Sequence, residues 1–83
     1  MSIKRLGTMF KTSEFRFKYH LNDFLAAKED DINGYVFVVS DETDISVMNV
    51  YQCDTETDTK IFRRFMKGGE VFMKKGGIWE PGR

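Results

Sequence analysis

The sequence predicts a small α+β domain in which a mainly antiparallel sheet of four to six strands carries two short helices, in the approximate order ββαββαββ. Three observations favour this class. Two neighbouring segments are rich in β-branched residues, two others have residues typical of helix termini, and no linker or low-complexity segment interrupts the pattern. Residues 1–83 are therefore expected to form a single domain.

The first third of the chain is interpreted as two strands followed by a helix. "SIKRLGTMF" and "EFRFKYHL" are predicted strands, because the second alternates aromatic rings with Arg16, Lys18 and His20. Such a strand would turn its rings to the core and its basic side chains to solvent. "NDFLAAKED" then has the composition of a helix, with Asn22 as its N-cap.

The middle of the chain contains the clearest strands. "YVFVVS" and "ISVMNVYQ" are predicted to pair as a hairpin at the centre of the sheet. "DTETDTKIFRRFMKGG" is predicted to be a helix that begins with acids and ends with bases before Gly68, with Ile61, Phe62, Phe65 and Met66 on one face. We expect both helices on the same side of the sheet.

The last segment, "EVFMKKGGIWE", is predicted to form two short strands around a glycine turn. A domain of this size must bury most of its aromatic rings, so five phenylalanines are assigned to the core. These are Phe15, Phe17, Phe62, Phe65 and Phe72.

Cysteine content and hydropathy limit the compartment. The single cysteine, Cys53, cannot form an internal disulfide, which is typical of cytoplasmic proteins. No apolar run approaches the roughly 18 residues of a membrane span, and the first ten residues lack the apolar segment of a signal peptide. We therefore expect a cytoplasmic protein that does not enter a membrane.

The sequence offers no defensible catalytic, cofactor or metal motif. Cys53 and His20 lie on different predicted elements, and nothing around Cys53 resembles a nucleophile signature, so the protein is not expected to be an enzyme. "EDDINGYVFVVS" resembles a calcium loop only superficially, because it begins with Glu29 and ends with Ser40 where the ion needs a bidentate glutamate. We expect no cofactor and no metal.

Charge is distributed unevenly along a chain of zero net charge. Residues 1–19, 20–59 and 60–83 carry sums of +4, −9 and +5, so the chain is basic, acidic and basic in turn. If the two ends meet in space, one side of the molecule is cationic and the other acidic. Local fields of this kind guide association more than net charge does.

The basic ends predict an accessory or regulatory protein that binds RNA or single-stranded nucleic acid. Its cations would contact phosphates while an aromatic ring stacks on a base. The candidate residues are Arg16, Lys18, Arg63, Arg64, Lys67, Lys74, Lys75 and Trp79. No RNA-binding signature motif accompanies them.

An alternative prediction is a protein-binding inhibitor, for example of a nuclease, of the kind carried by phages and mobile elements. It would use an exposed sheet edge or an acidic surface that mimics phosphate. The candidate acids are Asp41, Glu42, Asp44, Asp54, Glu56 and Asp58. A homodimer is compatible with either prediction, because small domains often pair to cover apolar surface.

Overall fold

Five antiparallel strands and two helices make up the computed structural model, which describes residues 3–28, 32–66 and 68–82. The α+β class, the antiparallel sheet and the two short helices are confirmed. In chain order the elements are β1 (Ile3–Phe10), α1 (Glu14–Ala26), β2 (Tyr35–Ser40), β3 (Val47–Cys53), α2 (Glu56–Met66), β4 (Glu70–Lys75) and β5 (Ile78–Pro81).

The strands lie side by side in the order β1-β3-β2-β4-β5. β2 and β3 pair as the predicted central hairpin, with Val38 opposite Val50. β4 and β5 form the second hairpin, whose Gly76 and Gly77 have φ values of 59° and 84°. Two consecutive positive φ values are those of a type I′ turn, which glycine adopts without steric cost.

The central strand β2 is buried on both of its faces. Val36 and Val38 pack in one cluster with Leu21 and Leu25 of α1, whereas Phe37 packs in another, on the α2 side. Adjacent residues of a strand point to opposite sides of the sheet. The helices therefore cover opposite faces, and the prediction that they share one face is wrong, because a continuous apolar strand has no polar side to expose.

Residues 14–21 are helical, so the prediction of a strand there is wrong. The alternation from Phe15 to Tyr19 is real, but the residues of α1 that pack on the core are the partly buried Phe17 and the buried Leu21 and Leu25, which is helical spacing. Ser13 precedes the helix, and its carbonyl accepts hydrogen bonds from the backbone N–H groups of Arg16 and Phe17.

Asn22, predicted as an N-cap, instead lies in the middle of α1 and binds the outer edge of β5. Its side-chain oxygen accepts the Trp79 backbone N–H at 2.7 Å, and its amide nitrogen donates to the Trp79 carbonyl at 3.0 Å. The Asn22 side chain thus pairs with the Trp79 backbone as a neighbouring strand would, on the side where β5 has no strand. This pairing blocks an otherwise open sheet edge.

The second helix begins where predicted, but two of its four predicted inward residues face solvent. Thr55 caps it by accepting the Asp58 backbone N–H on its hydroxyl oxygen at 3.1 Å. Phe62 and Met66 pack on the sheet, whereas Phe65 is 75 % exposed and Ile61 is also exposed. Asp58 and Thr59 are buried in place of these two residues, so the buried stripe is rotated toward them.

Glycine is required at residue 69 because β4 starts against a buried ring. An added Cβ at Gly69 would lie 2.5 Å from the Phe37 Cζ atom, and the backbone there has a φ of +92°. Gly68 has a similar φ of +101°, yet a Cβ on it would meet nothing within 4 Å. An alanine at residue 68 would therefore meet backbone strain alone, whereas an alanine at residue 69 would meet both backbone strain and steric overlap.

We predict that Gly69→Ala destabilises the protein more than Gly68→Ala does. The Gly68 variant carries only backbone strain, about 1 to 3 kcal/mol. The Gly69 variant adds displacement of a fully buried phenylalanine, which costs about 1 to 3 kcal/mol more. Urea unfolding of both variants measures the difference, and equal losses would contradict the close approach to Phe37.

Candidate nucleic-acid interface

The two basic ends of the chain meet where α1 packs on β5, but Lys18 is paired there with Glu80 and no single cationic side results. β1 and β5 lie at opposite edges of the sheet, with β3, β2 and β4 between them. Arg16 and Lys18 belong to α1 on one face of the sheet, whereas Arg63 and Arg64 belong to α2 on the other. The single cationic side that was expected if the ends meet is therefore not formed.

One groove nevertheless collects cations from two elements. It lies between α2 and β4 and has a volume of about 710 Å³, within the range of about 300 to 1,000 Å³ usual for small-ligand sites. Lys60 and Arg63 of α2 and Lys75 of β4 line it, and Tyr35 and Met73 contribute apolar surface. We call it the α2–β4 groove.

The groove exists because α2 does not cover the whole sheet. The helix packs on β2 and β3, and the strand order places β4 and β5 beyond it on that face. Val71 and Met73 of β4 are only partly buried as a result. The open part of the sheet thus becomes a depression with one helical wall.

The groove cations have weak internal partners. Lys60 lies 3.8 Å from the Glu56 carboxylate across an exposed helical turn, and Arg63 donates to the Gly69 carbonyl at 3.3 Å. Exposed pairs of this kind contribute little to stability. Glu56 also lines the groove, so an anion there meets three cations and one carboxylate.

Lys74 lies on the opposite face of β4 from Lys75. It lines a separate cleft with Lys28 and the buried Trp79. Adjacent strand residues alternate between faces, so these two lysines cannot act on one ligand from the same side. Lys74 therefore does not line the α2–β4 groove.

The α1 cations also lie away from the groove. Lys18 forms a salt bridge with Glu80 at 2.9 Å, and this hydrogen bond lowers the pKa of Glu80. Arg16 is exposed on the same helix, on the face of the sheet opposite α2. Arg64 is exposed on α2 but does not line the groove. Lys67, also predicted, lies outside the described residues.

Trp79 cannot stack on a base, contrary to prediction. Its side chain is 5 % exposed and belongs to the cluster beneath α1. The half-buried Tyr35 and the cation Lys60 were both missed by sequence reasoning. Lys60 and Arg63 are three residues apart, a spacing that puts them on one side of a helix and could have indicated the pair.

The acids of the β2–β3 loop are occupied in holding that loop. Asp41 accepts hydrogen bonds from the Thr43 hydroxyl at 2.7 Å, the Asn49 amide at 2.9 Å and two backbone N–H groups. These hydrogen bonds hold the pKa of Asp41 well below its usual range, and the bond from the Thr43 hydroxyl has the largest effect. Asp44 accepts from Ser46, and its pKa is also lowered.

Some of the acids that were predicted to bind a protein partner are not available on an exposed surface. Asp58 is buried in the first turn of α2, so it cannot contribute to an exposed surface. Glu56 faces Lys60. Glu42 and Asp44 are exposed on the β2–β3 loop, whereas Asp54 is exposed at the other end of β3, so the predicted acids do not lie together on one surface.

Cys53 and His20 do not form a catalytic pair. Cys53 is buried on the α2 side of the sheet, whereas His20 is exposed on α1, which covers the other face. Burial, assisted by nearby Asp58, raises the pKa of the Cys53 thiol to about 11. The thiol is consequently protonated at neutral pH.

A second depression of about 340 Å³ lies at the N-terminal end of α1. Its lining is mostly apolar, with Phe17, Met48 and Phe72 inside and Lys11 and Lys18 among its polar groups. Lys18 is held by Glu80, so it is not directed at a ligand. Across the described ranges, no three His, Cys, Asp or Glu side chains are grouped in a way that could hold a metal ion.

Neither described helix is long and apolar enough to cross a membrane. Comparison with protein-family models, with curated proteins and with solved structures returns no match for this chain. The candidate interface therefore depends on the geometry of the α2–β4 groove.

We predict that Asp41→Ala destabilises the protein at pH 7 and that the loss shrinks in acid. A carboxylate with a depressed native pKa stabilises the fold fully above its unfolded pKa of about 3.9 and loses that effect as the pH falls toward the native value. Urea unfolding at pH 7 and near pH 3 measures both differences from the unmodified protein.

Glu42→Gln is the control, because no hydrogen bond or salt bridge of Glu42 is seen within the described residues. It should leave stability unchanged at both pH values. A loss for Asp41→Ala that is constant with pH would contradict the ionic role of the Asp41 carboxylate.

Proposed function

We propose that this protein binds single-stranded nucleic acid in the α2–β4 groove, with RNA as the first candidate. The observation that carries the proposal is the convergence of Lys60, Arg63 and Lys75 on one depression beside a partly exposed aromatic ring. Nucleic-acid phosphates are recognised by clustered cations, and bases by aromatic faces.

The chemistry assigns each residue a separate task. Lys60 and Arg63 extend from α2, and Lys75 from the end of β4, so phosphates along the groove are contacted from both walls. Arg63 can offer two parallel N–H donors to a phosphate, whereas the lysines act as point charges. Tyr35 supplies a ring on which a base stacks. The protein would recognise the phosphate backbone of the nucleic acid and the faces of its bases, with little sequence selectivity.

We predict binding that is modest in affinity and strongly dependent on salt. Three neutralised phosphates on a single strand correspond to a slope of about −2 in log affinity against log salt, so a fourfold rise in salt weakens binding about 20-fold. Fluorescence anisotropy of labelled single-stranded RNA and DNA at several salt concentrations measures this slope. The absence of binding at low salt would overturn the proposal.

The variants separate charge from stacking. Lys75→Gln should reduce the slope by about 0.7, because one counterion fewer is released. Lys74→Gln, the adjacent lysine on the other face, is the matched control and should change nothing. Tyr35→Leu should weaken binding about 5- to 150-fold per stacked base while leaving the slope intact. Equal effects of both lysine variants would show that binding does not use the groove.

Binding of a protein partner by strand addition is a second candidate function. It is favoured by β1, which spans eight residues and has no neighbour on its outer side among the described strands. Two results together would support this function instead. The folded protein would not bind RNA at low salt, and the β1 amides would become protected from hydrogen exchange in a protein complex.

A further inference from the structure

Helix α1 is apolar on two sides, only one of which is buried by the fold. Phe15 is 80 % exposed and Tyr19 is 61 % exposed, and their ring centroids lie 6.2 Å apart. Ala26 continues this stripe two turns further along the helix. Ile78, 52 % exposed at the start of β5, lines the same shallow depression as Tyr19 and Ala26.

Rings exposed to this degree are unusual on a helix that already has a buried face. A surface helix normally has one apolar stripe with polar residues opposite it. Aromatic residues surrounded by charged ones are instead typical of the centre of a protein interface. Phe10 and Phe65 are exposed to a similar degree elsewhere, so the charges beside the stripe are what indicate its occupant.

The charged residues beside the stripe would form pairs of opposite charge between two copies related by a two-fold rotation. Arg16 and Asp23 are both exposed and lie seven residues apart, which puts them on the same side of α1 nearly two turns from each other. Two α1 helices packed antiparallel about a point near residue 20 bring Arg16 of each copy to Asp23 of the other. The opposed helix dipoles are also favourable in this arrangement.

The shapes of the two halves match under the same rotation. The N-terminal half of the stripe carries the bulky Phe15, and the C-terminal half carries the small Ala26. Phe15 of one copy would therefore lie over Ala26 of the other, with Tyr19 near the axis. A chain of zero net charge has no overall repulsion to overcome when two copies approach.

We propose that the exposed face of α1 is a homodimer interface in which two copies pack antiparallel through Phe15, Tyr19 and the Arg16–Asp23 cross-pairs. The interface is isologous, since each copy contributes the same surface. A helix of 13 residues is only about 20 Å long, so the interface is small and we expect the dimer to dissociate on dilution.

The dimer is independent of the proposed nucleic-acid function. Because α1 and α2 cover opposite faces of the sheet, pairing through α1 leaves both α2–β4 grooves open on the outer sides. Loss of the dimer should leave the binding of a short oligonucleotide unchanged. The two proposals can therefore fail separately.

Sedimentation equilibrium over a wide range of protein concentrations tests the dimer. We expect the mass to rise from monomer to dimer, and Phe15→Ala with Tyr19→Ala to raise the dissociation constant at least tenfold. Arg16→Asp and Asp23→Arg should each weaken the dimer, because each places like charges together. The double variant Arg16→Asp/Asp23→Arg should restore it, since the cross-pairs are rebuilt with exchanged signs.

Arg64→Asp is the control, a charge reversal on the exposed side of α2 that should leave the dimer intact. Circular dichroism and urea unfolding establish that every variant is folded. A mass that stays monomeric at all concentrations would overturn the proposal. So would a dimer that is insensitive to the two aromatic substitutions, or a double variant that is no tighter than the single ones.

Discussion

The whole structure depends on burying β2 from both sides. Its four central residues, 36–39, are all apolar and at most 5 % exposed, so neither face of the central strand tolerates water. Each face must be covered by a separate helix, which requires the connections from β1 and from β3 to cross the sheet on opposite sides. Burying four such side chains contributes roughly 6 to 12 kcal/mol, far more than any surface ion pair in the chain.

The same constraint leaves specific surfaces uncovered. Two helices of 13 and 11 residues cannot shield five strands, and a chain of 83 residues buries only part of its apolar surface. On one face, α2 centres on β2 and β3 and leaves β4 open as the groove. On the other face, α1 lies across to β5, where Asn22 fixes it, and exposes a second apolar stripe.

These two surfaces are suited to different partners. The groove is cationic and faces away from α1, whereas the stripe is aromatic with balanced charges beside it. If two copies pair through α1, each dimer presents two outward-facing grooves, and a long strand that reaches both is held by a raised effective concentration. The loop acids have no part in either surface, because Asp41 and Asp44 are occupied within their own loop.

The sequence by itself determined the elements whose signal is local. The β-branched runs, the acid-to-base polarity of α2 and the paired glycines at residues 76–77 each depend on neighbouring residues, and each was interpreted correctly. Residues 14–21 were misread because an eight-residue alternation is weaker evidence than the helical spacing that continues to Leu25. Tertiary structure alone decided which face each helix covers, which strands lie at the edges and which cations share a groove. Those outcomes depend on contacts between residues distant in the chain, such as Asn22 with Trp79, for which local spacing contains no information.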